Sequence, residues 1–184
     1  MWLNCEESIA IVSLGMGSKE IGSIVLLPFF VAQKNERTFD IIITMNHVVY
    51  LDAKSNELEN LLQGKKTMII RGAMGKKLPY GRVKKGEKLY FVRNNGEGLI
   101  KATGIVNNVS ESEKLSKEES KKLVNKYRYK LLITDKMYNR FAGKRNIILI
   151  QVENIKEIQY FILNKEKFGN MDDWIIFEKI EEIK

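Results

Sequence analysis

Gly64-Lys65-Lys66-Thr67-Met68-Ile69-Ile70-Arg71 is the stretch on which the fold turns, because it joins the end of one element to the start of another. Upstream, Leu58, Leu61 and Leu62 recur at helical spacing, with Asp52 or Ser55 available as N-cap and Gly64 placed as a stop. The spacing predicts a short amphipathic helix over 55–63. Downstream, 67–71 is β-prone and predicts a strand. Lys66 and Arg71 therefore project from a turn and strand that follow a helix C-terminus. A lysine is a point charge and an arginine a planar fork, so the two suit a phosphate, or Arg71 suits a base edge. The plainer alternative is that Lys65 and Lys66 complement the helix dipole while Arg71 pairs with a carboxylate.

Working outward, 45–51 reads as a first strand. The segment 72–86 is a loop with Gly, Lys and Pro79. Strand 89–93 turns through Asn94-Asn95-Gly96 into a return strand, 99–109, bent at Gly104. Ser116-Lys117-Glu118-Glu119 is a capping box opening a helix to about Tyr127. A second short helix is predicted over 134–142, ended by Gly143, and strands over 146–152, 158–163 and 174–180. Many short strands, two or three short helices and no βαβ rhythm predict an α+β fold built on a small mixed β-barrel.

The chain has 184 residues, 44% hydrophobic and 29% charged, as in a folded globular protein. Residues 45–184 are expected to form the barrel domain. Residues 1–44 are an N-terminal extension, either a preceding hairpin or the product of a mis-assigned start, since Met45 opens the first strand. Net charge is +8 and uneven: −2 over 1–44, +7 over 45–109 and +3 over 110–184. Polyanions are drawn to the middle third, although a lysine-rich surface also simply favours solubility. With Cys5 as the one cysteine, no intramolecular disulfide or cysteine zinc cluster is possible, and a reducing cytoplasm is the expected compartment. His47, the single histidine, reads as a satisfied structural residue. No cofactor and no metal are expected. The apolar run 21–32 is too short to span a bilayer, and Glu6 and Glu7 stand where a signal peptide needs positive charge. No membrane partner is therefore expected.

The order helix, Gly64-Lys65-Lys66-Thr67, strand ending at Arg71 resembles the signature of the ASCH domain of the PUA-like superfamily, Gly-x-Lys-x-x-Glu-x-Arg. Gly64, Lys66 and Arg71 match in register. Lys85-Gly86-Glu87-Lys88-Leu89-Tyr90-Phe91 resembles the next element, and Gly98-Leu99-Ile100 with Gly104-Ile105-Val106 its return. The likeness covers 45–110. It implies a PUA-like barrel whose cleft, between the first helix and the barrel, takes a nucleotide. Ile69 stands where the family has Glu, so a catalytic role for that carboxylate is lost or moved, and the balance tips toward binding.

The function implied is nucleic-acid binding, RNA favoured. Gly64, Lys66, Thr67, Arg71, Tyr90 and Arg93 are the candidate ligand contacts, and Lys65, Lys76, Lys77, Arg82, Lys84 and Lys85 the candidate phosphate contacts. The 72–85 loop is suited to follow a backbone while Tyr80 offers a face to a base, or it is a solvated connector. Tyr90 and Phe91 must face opposite sides of one strand, which predicts one in the core and one toward ligand. The alternative is a small amidohydrolase acting on an acylated or otherwise modified nucleoside. Some ASCH-like proteins act so through a Lys and a Thr in this segment. Lys66 and Thr67 are then the catalytic candidates, although the family's Thr position is Ile69 here.

Overall fold

The computed structural model describes residues 44–169 and 173–184. Expectations for an extension, a hairpin or an alternative start over 1–44 lie outside the described residues but for Thr44. Six strands form one sheet: β1 (Asn46–Leu51), β2 (Met68–Ala73), β3 (Lys88–Arg93), β4 (Leu99–Glu111), β5 (Asn146–Ile162) and β6 (Trp174–Phe177). Their spatial order is β2-β5-β4-β3-β1-β6; β1 and β3 run parallel and every other neighbour pair is antiparallel. Four short helices accompany them: α1 (Glu57–Leu62), α2 (Lys117–Lys126), α3 (Arg128–Leu131) and α4 (Asp135–Phe141). The predicted mixed α+β barrel is thus present as a curled six-stranded half-barrel.

Curvature comes from the long β4–β5 pair, whose register shifts at three places, between Ile100 and Ala102, Thr103 and Ile105, and Val106 and Asn108. Each irregularity adds local twist and bends the ribbon. Gly104 sits at one of them, where a Cβ would meet Phe91 Cε2 at 3.1 Å and Ile155 Cγ1 at 3.3 Å. The predicted bend at Gly104 is therefore also a site of close approach.

Side-chain alternation splits the sheet into two buried faces. Val49, Leu51, Ile69, Leu89, Phe91, Ile148, Ile150 and Trp174 fill the concave side with Leu58 and Leu61 of α1. On β2 and β5 the opposite face, with Met68, Ile70, Ile147 and Leu149, is covered by Val124, Leu131, Met137 and Phe141 of the helices. On β1, β3 and β6 that convex face, with Val48, Tyr90, Val92, Ile175 and Phe177, is covered by Leu163 and Ile183. Both Tyr90 and Phe91 are consequently buried. Tyr90 does not face a ligand as expected, because the C-terminal segment occupies the face it projects from.

Other differences from the sequence expectation have local causes. A 3-10 turn over Ala53–Ser55 precedes α1, whose N-cap is Asn56 at φ 51 with no side-chain cap bond, so neither Asp52 nor Ser55 caps it. The strands expected over 146–152 and 158–163 are one strand, β5. The apolar pattern lapses between them because 153–154 and 156–157 are exposed where the pairing shifts, with Asn154 at φ 51. The Ser116–Glu119 capping box is present, and Thr134 caps α4.

Candidate nucleotide-binding site

Arg71 is where the barrel seam and the site meet. Ile69 and Arg71 alternate onto the same face of β2, so Ile69 enters the core while Arg71 reaches across the open side of the half-barrel. Its Nη1 donates to the Ile70 carbonyl at 2.9 Å and its Nη2 to the Tyr50 carbonyl of β1. The guanidinium also stands 5.6 Å from the ring centroid of Trp174 on β6, within cation–π range. A β2 side chain thereby ties together strands from the far end of the sheet. Burial pushes Arg71 below its ordinary pKa, opposed by Asp173 and Glu57, and the group stays charged as arginine does in proteins.

Trp174 in turn donates its indole N–H to His47 Nδ1 at 3.1 Å. That fixes the neutral tautomer, with the proton on Nε2 donating to Glu87 Oε2 at 2.8 Å. His47 is fully buried, and burial lowers its pKa against the pull of Glu87. It is the satisfied structural histidine that the sequence suggests.

Lys66 is 1% exposed and is not a free cation. Its Nζ lies 3.0 Å from Glu57 Oε1 and donates to the Leu131 carbonyl. Burial holds the ammonium below its ordinary pKa against the attraction of Glu57. Glu57, from α1, supplies the carboxylate that the stretch around Ile69 lacks. Its Oε2 accepts from the Asp52 amide at 2.7 Å, whereas Oε1 approaches Lys66 without hydrogen-bond geometry. A carboxylate thus stands beside Lys66, carried on α1 and not on β2.

Beside this pair opens a cavity of about 750 Å³, lined by Tyr50, Asp52, Glu57, Arg71 and Asp173, by Lys136, Met137, Asn139, Arg140 and Phe141 of α4, and by Asn94 and Lys165. Its volume falls in the range of small-molecule sites. Four cations and three carboxylates line it. The Lys165 ammonium lies 4.5 Å from the Tyr50 ring centroid.

Of the sequence candidates, Arg71 lines this cavity and Lys66 lies beneath it through Glu57. Thr67 is half-buried and held through its backbone, its N–H to the Lys130 carbonyl at 3.1 Å and its carbonyl from the Val152 amide at 3.0 Å; it does not line the cavity. Gly64, at φ 69, makes the turn after α1, with Lys65 exposed beside it. Arg93 is paired with Glu59 and Tyr90 is on the far face, so neither converges with Arg71. Lys76, Lys77, Arg82, Lys84 and Lys85 are exposed on their loop. Tyr80 is not free to receive a base: its ring packs on the core, its hydroxyl donates to the Ser112 carbonyl at 2.5 Å, and Lys76 covers it at 5.2 Å. Missed from sequence were Tyr50, Glu57, Arg140, Lys165 and Asp173. They are scattered over more than a hundred positions and share no spacing that marks them.

A mixed sheet curled around one apolar core, with helices on the outside of β2 and β5 and a polar cavity at the seam, defines a PUA-like barrel. More narrowly, it is the fold of the ASCH domain. A point variant of the ASCH protein of Zymomonas mobilis superposes with TM-score 0.57 at 12% identity, covering 74% of this chain and 93% of that one. Another structure of the Zymomonas mobilis ASCH protein gives 0.55 at 11% identity, over 74% and 90%. No protein-family model and no curated protein matches the chain. Among the described residues, no helix is long and apolar enough to cross a membrane.

Proposed function

We propose that the chain binds nucleic acid, RNA foremost, by admitting one nucleotide into the cavity between α1, α4 and the barrel seam. One observation carries this reading. Among the described residues, two buried polar atoms without a partner, Tyr50 Oη and Arg71 Nε, belong to residues that line this one cavity, and a third, Glu57 Oε1, meets only the Lys66 ammonium at 3.0 Å. Orphaned buried polar groups cost about 1–3 kcal/mol each, so their convergence marks a place built for a polar partner. The Tyr50 hydroxyl and the Glu57 carboxylate, a donor and an acceptor, suit the edge of a planar heterocycle that both gives and takes hydrogen bonds, and the Arg71 Nε–H suits the phosphate attached to it. Lys136, Arg140 and Lys165 line the cavity at exposed or half-exposed positions, suited to a phosphate and its chain.

Fluorescence anisotropy with short single-stranded RNA and DNA tests it. Lys136, Arg140 and Lys165 are solvent-accessible to differing degrees, so replacing all three by Ala leaves the core intact. The triple variant is expected to bind at least about tenfold more weakly, with a salt slope shallower by roughly 0.7 per lost phosphate contact. Unchanged affinity and slope would contradict the reading.

A second reading, hydrolysis of an acylated or modified nucleoside, is favoured by the buried Glu57–Lys66 pair at the cavity floor. A lysine lowered by burial suits a general base. Purified protein releasing the acid from acylated cytidine, with turnover abolished by Glu57→Gln, would support it; no product removes it.

A further inference from the structure

The cavity has a neighbour. A second hollow of about 500 Å³ abuts it, and the two share Arg71, Arg140, Phe141 and Asp173. The second hollow adds Lys77 from the loop and Lys144 from the turn before β5, so four cations face it against one carboxylate. That carboxylate, Asp173, lies at the junction. Its Oδ2 is 3.7 Å from Arg71 Nε and 3.5 Å from an Arg140 Nη. The first distance is too long for a hydrogen bond, which is why a guanidinium only 7% exposed keeps an unpartnered N–H aimed at the junction.

We propose that the second hollow seats the nucleotide adjoining the one in the first cavity, with the phosphodiester between them held by Arg71 and Arg140 in place of Asp173. The ligand is then a single strand of two or more nucleotides, not a free nucleoside. The proposal rests on the nucleotide-binding reading above. Three features argue for it. A phosphate accepts charge-assisted hydrogen bonds from guanidinium groups, and Arg71 has its Nε–H unpartnered while Arg140 meets only Asp173 there. The charge of the second hollow is lopsided, whereas that of the first is nearly balanced. A single carboxylate, nearly half exposed in its side chain, occupies the point between the two arginines and is free to swing toward solvent when an anion arrives. In the free protein Asp173 thus fills the phosphate seat and screens two cations from each other; in the complex it yields.

The test uses the full chain and calorimetric or NMR titration with nucleosides, the corresponding dinucleotides in ribo and deoxyribo form, and the same dinucleotides with a neutral methylphosphonate link. A natural dinucleotide of either sugar is expected to bind about tenfold or more tighter than its nucleoside, and the neutral link to lose most of that gain. Lys77→Ala with Lys144→Ala should weaken the natural dinucleotide several-fold and leave the nucleoside unchanged. Asp173→Asn should strengthen the natural link and not the neutral one. Nucleoside and dinucleotide binding with equal affinity, or a neutral link that costs nothing, overturns the two-seat proposal while leaving the single-nucleotide reading standing. Absence of binding by every probe overturns both.

Discussion

Replacing Lys66 by Met is expected to destabilise the fold by about 3–5 kcal/mol, the cost of leaving a buried charge without its partner. Lys66 and Glu57 are 1% and 3% exposed. Removing the ammonium leaves Glu57 with the Asp52 amide as its remaining hydrogen-bond donor, and strips the Leu131 carbonyl of the Lys66 donor. Pairing Lys66→Met with Glu57→Gln should recover most of the loss, because the charge that must otherwise be buried alone is gone. Urea unfolding of wild type, single and double variants reads this directly. A single variant within about 1 kcal/mol of wild type, or a double variant no better than the single, would show that the pair is not buried as described.

The same pair gives a pH signature. Burial lowers the Lys66 pKa from the ordinary 10.5, so on alkalinisation the folded protein releases this proton before the unfolded chain does. Between the lowered value and 10.5 the unfolded state binds more protons, and this group's contribution to stability therefore rises with pH across that interval. Lys66→Met should lose that alkaline rise.

Arg71→Lys is expected to keep the fold and weaken nucleotide binding roughly tenfold to a hundredfold, the worth of one charge-assisted hydrogen bond. Lysine preserves the charge but not the fork that reaches the Tyr50 and Ile70 carbonyls while presenting Nε to the cavity. An affinity equal to wild type would mean that Arg71 serves the barrel seam alone. Measuring thermal unfolding beside affinity separates the two, since a seam defect lowers Tm with or without ligand.

Local signals carried much of the fold. Ser116 and Glu119 announced α2, Asn94-Asn95-Gly96 the β3–β4 hairpin, and Gly64 the end of α1, because each is a conformational requirement met within a few residues. β5 was harder. Its polar middle, from Glu153 to Glu157, follows from irregular pairing with β4, which no window of β5 alone contains. The site was legible only in its anchor. Arg71 and Lys66 stood out by charge next to a helix end, but their surroundings depend on sheet curvature bringing Tyr50, Arg140 and Asp173 to the same seam. Ile69 stands where the ASCH signature has Glu. Its burial at 0% exposure makes it an ordinary core residue, and Glu57 stands beside Lys66 instead. Tyr90 and Tyr80 differ from expectation for separate reasons: the later C-terminal segment covers the face of Tyr90, whereas Tyr80 packs on the core with Lys76 over its ring.

Photocrosslinking of short single-stranded RNA carrying 4-thiouridine, followed by mass spectrometry, addresses the central claim most directly. Insertion of a base into the cavity predicts crosslinks on Tyr50, Met137 or Phe141, competed by unlabelled strand and reduced in Arg71→Lys. Crosslinks confined to the 76–85 loop, with none on the cavity wall, would contradict it.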